Sequence, residues 1–191
     1  MKYYILFGPP GAGKGTQAGA IVKKYNLCHI STGELLRAEI AAGSELGKQA
    51  KALIERGDLV PDSVVEGMLE SKFRTTTGVN GFLLDGFPRT ISQANDLDGI
   101  LAKSGEKVDC VVSIMIPDEM IAERIANRAS IEGRADDADP KTIQNRIRTY
   151  HDKTEPLIDF YKAQGKYSEA DGTGTIEQVQ QAISDIMDKT C

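Results

Sequence analysis

Paired cysteines, long apolar runs and an excess of basic charge are all missing from this chain of 191 residues, and each absence removes a class of protein. Cys28, Cys110 and Cys191 are odd in number, widely separated and without C-x-x-C spacing, so reduced structural thiols are expected in place of disulfides or a structural zinc site. No apolar run approaches the roughly 20 residues of a membrane helix, and Lys2 followed only by "YYILF" is too short for a signal peptide. A cytoplasmic protein without a membrane partner is expected. The net charge of −5 argues against a nucleic-acid partner, which usually calls for a basic excess, so any bound anion must be held by a local arrangement. There is no Pro/Ser tract, like-charge block or repeat period, and the length suits one domain over residues 1–191.

What is present is an alternation of short apolar runs and helical periodicity. "KYYILFG" and "LCHIS" read as buried strands, with a helix from Thr16 to a C-cap-like Asn26 between them. Ser31, three residues ahead of Glu34, is a capping-box signature that starts a second helix. Further helices are predicted over "SELGKQAKALIERG" and from Asp62 as N-cap through "SVVEGMLESKF". "GFLLDG" and "VDCVVSIMI" read as strands, the latter stopped by Pro117, with the helix "SQANDLDGILAKSG" between. After them come the helix "DEMIAERIANRA", a polar turn "SIEGRADDAD", one long helix from Pro140 to about Gly165, the strand "KYSEA" and a last helix ending near Lys189. This order predicts an α/β fold, a parallel sheet with helices on both faces, whose ligands sit beyond the C-terminal strand ends.

"GPPGAGKGT", Gly8 to Thr16, fits the phosphate-loop pattern between a strand and a helix. Glycines allow a concave nest of inward-pointing N–H groups, the helix N-terminus adds partial positive charge, and Lys14 reaches the terminal phosphates as a point charge. The plain alternative is a glycine-rich turn beside a surface lysine. Gly15, not a hydroxyl residue, follows Lys14, and no N-K-x-D segment is found, which argues against a GTP switch or a pure nucleotide-binding module. Asp85, at the end of "GFLLD", is placed to orient waters around magnesium, or else only completes the turn before Gly86. Arg89, four residues on, suits a second phosphate.

Of nine arginines, Arg37, Arg89, Arg124, Arg128, Arg134 and Arg146 fall in or beside these segments. Arg124 and Arg128 are four apart on one helix face, while Arg134 and Arg146 can converge from a turn and a helix. Phosphoryl transfer spreads charge over several oxygens and calls for such a set of fixed cations, although solvated helix faces paired with Glu123, Asp136, Asp137 or Asp139 give the same pattern. His29 and His151 are read as structural, because an acceptor phosphate is already a nucleophile and needs no base.

"GPPGAGKGTQA", "HISTGELLR", "GDLVPD", "FLLDGFPRTISQA", "ERIANR" and "GRADD…TIQNRIRTYHDKTEPLIDFY" together resemble the adenylate kinase family, in order over nearly the whole chain. The resemblance implies a P-loop NTPase-type five-stranded parallel sheet, a helical NMP-binding segment at 31–60 and a lid at 129–137. It also implies reversible transfer of the γ-phosphate of ATP to AMP, giving two ADP, with magnesium and in a monomer. By position, Gly11, Ala12, Gly13, Lys14, Gly15 and Thr16 would cradle the ATP phosphates, Arg124 would lie by the adenine and Arg128 would contact phosphate. Thr32, Arg37, the backbone of Asp58, Leu59 and Val60, the run Gly86, Phe87, Pro88 and Arg89, and Gln93 would form the AMP site. Arg134 and Arg146 would bridge the two nucleotides, entering on closure, with Asp136 and Asp137 either holding the closed state or standing as a solvated turn. Only "ASIEG" separates Arg128 from Arg134, so the short-lid form is implied. Gly174 stands where long-lid relatives often carry lysine, which leaves the backbone for any ATP contact there. A UMP/CMP kinase is the alternative; it tends to have Ala at the position of Thr32 and an "RN..DN" pattern around Gln93.

Overall fold

A computed structural model describes residues 1–133, 137 and 139–190. The fold alternates strand and helix: β1 (Lys2–Phe7), α1 (Lys14–Tyr25), β2 (Leu27–Ser31), α2 (Thr32–Ala41), α3 (Glu45–Arg56), α4 (Asp62–Thr75), β3 (Gly81–Asp85), α5 (Ile91–Ala102), β4 (Cys110–Met115), α6 (Asp118–Glu132), α7 (Pro140–Thr149), α8 (Leu157–Ala163), β5 (Tyr167–Asp171) and α9 (Ile176–Thr190). The five strands form one parallel sheet in the order β2-β3-β1-β4-β5. That is the predicted α/β architecture.

Alternation along β1 shows why both faces are covered. Tyr3, Ile5 and Phe7 point to one side, where they meet Phe82, Leu84, Leu69 of α4, Leu97 of α5 and Tyr161 of α8. Tyr4 and Leu6 point to the other, against Ala18 and Ile21 of α1, Ile125 of α6 and Ile183 of α9. With neither sheet face left to solvent, the strands read as continuous apolar runs. Among the described residues no helix is long and apolar enough to cross a membrane.

Several local expectations are corrected. Helix α1 begins two residues early, at Lys14, because Gly13 adopts a left-handed conformation just ahead of it. Asn26 closes it as expected, at φ 53°, its N–H donating to Val22 O. Asp62 is the first residue of α4 and not its N-cap; Pro61 holds that position and no side chain caps the helix. The polar stretch after Arg128 continues α6 through Glu132. The long helix from Pro140 is interrupted by a π turn at Tyr150–Thr154. Pro156 lacks the N–H that an unbroken helix would need, and Glu155 N donates five residues back to Tyr150 O at 2.8 Å. Arg134, Asp136 and Cys191 lie outside the described residues.

Candidate active site

The C-terminal ends of β1 and β3 are adjacent, Leu6 pairing with Asp85, so the loops that follow them open onto one cavity of about 580 Å³. Its floor is the glycine loop. Gly8 holds φ 134° and lies so close to β4 that a Cβ would stand 2.5 Å from Ile114 O; Gly13 holds φ 92° with open space before it. Only glycine suits the first position on both grounds. The first turn of α1 carries no carboxylate, which leaves the positive helix end facing the cavity unneutralised.

Lys14 bends back over the loop, its Nζ donating to Gly8 O at 2.8 Å and Pro9 O at 3.0 Å. Burial lowers its ammonium to about 8; Asp85 acts against that shift, while Arg89 and Arg128 add to it. The group is therefore still mostly charged at neutral pH and gives up its proton only a little above it. Burial works against the charge on Asp85, yet His29, whose Nε2 stands 3.7 Å from its Oδ2, together with Lys14 and Arg89 holds the carboxyl below its ordinary range. Asp85 is a hard oxygen donor in a cationic cavity, which fits a magnesium ion taking its other ligands from phosphates and water. Among the described residues no group of three His, Cys, Asp or Glu side chains gathers that could hold a metal without them.

On the other side, Ser31 Oγ accepts from Glu34 N at 3.4 Å and starts α2, which sets Thr32 at the cavity wall with its Oγ1 donating to Gly86 O at 3.0 Å. Arg37 reaches back over Gly33, whose missing side chain leaves room for the guanidinium. Helix α3 ends on Gly57 at φ 77°, where a Cβ would meet Arg146 Cγ at 2.9 Å. That close approach lets α7 dock: Thr142 Oγ1 donates to Glu55 O at 2.9 Å, and Asn145 Nδ2 donates to Arg56 O at 2.8 Å and Asp58 Oδ1 at 3.0 Å. Asp58, Leu59 and Val60 then follow along the cavity edge.

Gly86, Phe87 and Pro88 continue from β3 through a cis Phe87–Pro88 bond to Arg89. Arg89 Nε donates to Gly86 O at 2.8 Å, its carbonyl accepts from Thr154 Oγ1 at 2.9 Å, and its N–H donates to Gln93 Oε1 at 2.7 Å. Protein walls and then Arg146, with Arg37 and Arg128 beyond, push the Arg89 guanidinium below its ordinary value against the pull of Asp85, although one face stays wet in the open cavity. Arg124 Nη2 donates to Gly172 O at 2.9 Å, close to Gly174. Arg128 Nε and Arg146 Nη1 both donate to the buried carboxylate of Asp137, at 2.7 Å and 2.6 Å.

Every predicted site residue within the described part lines this one cavity, including Gly11, Ala12, Gly15, Thr16, Gln93 and Gly174. Sequence reasoning missed Thr154 and Tyr150, which reach the wall from the two ends of the π turn. It also missed Asn127 and Ile131 on α6. Asn127 sits between the two flagged arginines in "ERIANR", and that was the available signal.

A profile described as adenylate kinase matches residues 6–166. Curated relatives include an adenylate kinase of Stenotrophomonas maltophilia strain R551-3, 49% identical over 94% of this chain and 95% of the relative. Another, from Xanthomonas campestris pv. campestris strain 8004, is 48% identical over 94% of this chain and 95% of its own length. An adenylate kinase of Xylella fastidiosa strain M12 is 48% identical over 94% of this chain and 96% of the relative.

Proposed function

The chain belongs to the adenylate kinase family, and from that premise we propose how its own residues carry phosphate between ATP and AMP. The backbone cup from Gly11 to Thr16, with Lys14, would hold the ATP phosphates; Arg124 and the backbone near Gly174 would flank its adenine, and Arg128 would take a phosphate oxygen. Thr32, Arg37, Asp58 to Val60, Gly86 to Arg89 and Gln93 would receive AMP. An oxygen of the AMP phosphate then bonds to the γ-phosphorus as that atom's bond to the bridging oxygen of ADP breaks, and two ADP leave. No side chain need take a proton, so rate comes from alignment and from cations matched to the charge that develops. Asp85 would hold, through water, a magnesium ion, which when bound would supply charge neutralisation to the polyphosphate.

Arg146, and Arg134 in the lid, would bridge donor and acceptor once the 31–60 segment and the 129–137 lid close and exclude water. The enzyme would serve as a cytoplasmic monomer that balances adenine nucleotides. The observation that carries this reading is the convergence of Lys14, Arg89, Arg128 and Arg146 on the cavity whose floor is the glycine cup. The test follows labelled γ-phosphate from ATP with AMP, CMP or UMP as acceptor, and with a dinucleotide bridged by five phosphates as inhibitor. Labelled ADP formed fastest with AMP and blocked by that inhibitor is expected; faster transfer to CMP or UMP would move the chain to the UMP/CMP alternative.

A further inference from the structure

Gln93 is only 2% exposed, yet it faces the cavity, and both ends of its amide are spoken for. Oε1 accepts from Arg89 N–H at 2.7 Å, and Nε2 donates to Asp62 Oδ1 at 2.6 Å. The rest of the residue is fixed too: its backbone N–H donates to Thr90 Oγ1 at 3.2 Å, and the Arg89 peptide is held by Thr154. A backbone N–H can only donate and a carboxylate can only accept. Turning the amide over would therefore set N–H against N–H and oxygen against carboxylate, so one orientation alone satisfies both partners. In that orientation one Nε2 hydrogen and one Oε1 lone pair remain for a ligand.

We propose that Asp62 is a positioning residue that locks the Gln93 amide in the polarity needed for an amino-type purine edge and rejects the oxo-type edge. This rests on the reading of Gln93 as the group that meets the acceptor base. Adenine offers an acceptor nitrogen beside an amino donor; hypoxanthine has nearly the same shape with those roles reversed, a ring N–H beside a carbonyl. A free amide adapts to either by turning over. A locked one cannot, and the wrong base leaves buried polar groups unpaired. Asp62 sits at the first residue of α4, where a carboxylate also favours the helix end, but that role has no bearing on base choice.

The measurement is kcat/KM for AMP and for inosine monophosphate, with ATP as donor, in the parent protein, Asp62→Asn, Asp62→Ala and Gln93→Leu, with thermal midpoints recorded alongside. Asparagine can donate or accept, so Asp62→Asn removes one of the two fixed partners while keeping the shape, and only the Arg89 N–H then opposes a flip. The AMP-to-IMP preference is expected to fall about tenfold or more in both Asp62 variants, through the acceptor KM, with the KM for ATP unmoved. A preference lost in Gln93→Leu but retained within twofold in both folded Asp62 variants would overturn the lock alone. A preference absent from the parent, or untouched by Gln93→Leu, would overturn it through the base reading beneath it.

Discussion

Asp137 stands between Arg128 and Arg146, its Oδ2 accepting from Arg128 Nε at 2.7 Å and its Oδ1 from Arg146 Nη1 at 2.6 Å, and its own side chain has no exposed surface. One carboxylate thus holds two guanidinium groups that would otherwise repel. Removing it takes the shared carboxylate from two half-buried guanidinium groups, and because both keep part of their surface in water, 24% and 17%, the loss is softened. Asp137→Ala is expected to lower the unfolding free energy by about 1–3 kcal/mol in urea titration. Inorganic tripolyphosphate should restore more stability to the variant than it adds to the parent, because it supplies the missing negative charge. Equal effects in the two proteins would show that Asp137 does not act as counter-charge.

Lys14 and Arg89 both face the cavity, and their side chains donate to the main-chain carbonyls of Gly8, Pro9 and Gly86. Lys14→Met and Arg89→Ala are each expected to lower turnover by about a hundredfold or more while the thermal midpoint stays close to that of the parent. Near-normal turnover in either variant would remove that residue from the reaction.

The pH behaviour of the cup follows from Lys14, lowered to about 8 with no anion bound. A polyphosphate raises the affinity of that amine for its proton, so ATP binding near pH 8.5 should draw a proton from the buffer. Calorimetry in two buffers of different ionisation heat reads this uptake directly. In Lys14→Arg, whose guanidinium is charged throughout, the uptake should vanish. Proton uptake that persists in Lys14→Arg would assign it elsewhere.

His151 presents the opposite sign. Its Nδ1 lies 2.9 Å from Glu155 Oε2 and its Nε2 3.2 Å from Asp118 Oδ2, tying the π turn to the start of α6. The hydrogen bond to Glu155 first, and then Asp118, raises its folded value above the ordinary 6.5. Its contribution is therefore full below about pH 6.5 and is lost as pH rises through the raised value. The stability gap between the parent and His151→Gln should be larger at pH 6 than at pH 9, and a constant gap would exclude the ion pairs.

Leu84 is completely buried in the middle of the sheet. Leu84→Ala is expected to cost about 2–5 kcal/mol in urea, by lost burial and the cavity left behind. A loss under 1 kcal/mol would mean that the neighbouring side chains collapse into the gap.

Features governed by neighbours in the chain were legible in the sequence. The strand runs, the Asn26 cap, the glycine cup and the ends of β1 and β3 depend on residues within a few positions, and they are where periodicity and turn chemistry put them. The failures concern residues whose partners lie far along the chain. Asp62 looks like a helix cap because caps are local, but its hydrogen bond goes to Gln93, 31 positions away. Thr154 reads as one more helical residue until the π turn carries it to Arg89, 65 positions away. Pro156 falls inside the helix read as continuous from Pro140 to about Gly165, and how the chain absorbs its missing donor depends on packing that no pattern displays.

The glycine cup would grip phosphate mainly through main-chain amides, while the wall proposed to face the acceptor base would rely on side chains such as Thr32 and Gln93. A point substitution can exchange a threonine or a glutamine, but it cannot delete a peptide N–H except by introducing proline. On the proposed assignment such an architecture would separate two evolutionary risks: the grip on triphosphate would be insulated from ordinary drift, and the choice of partner nucleotide would be left open to it.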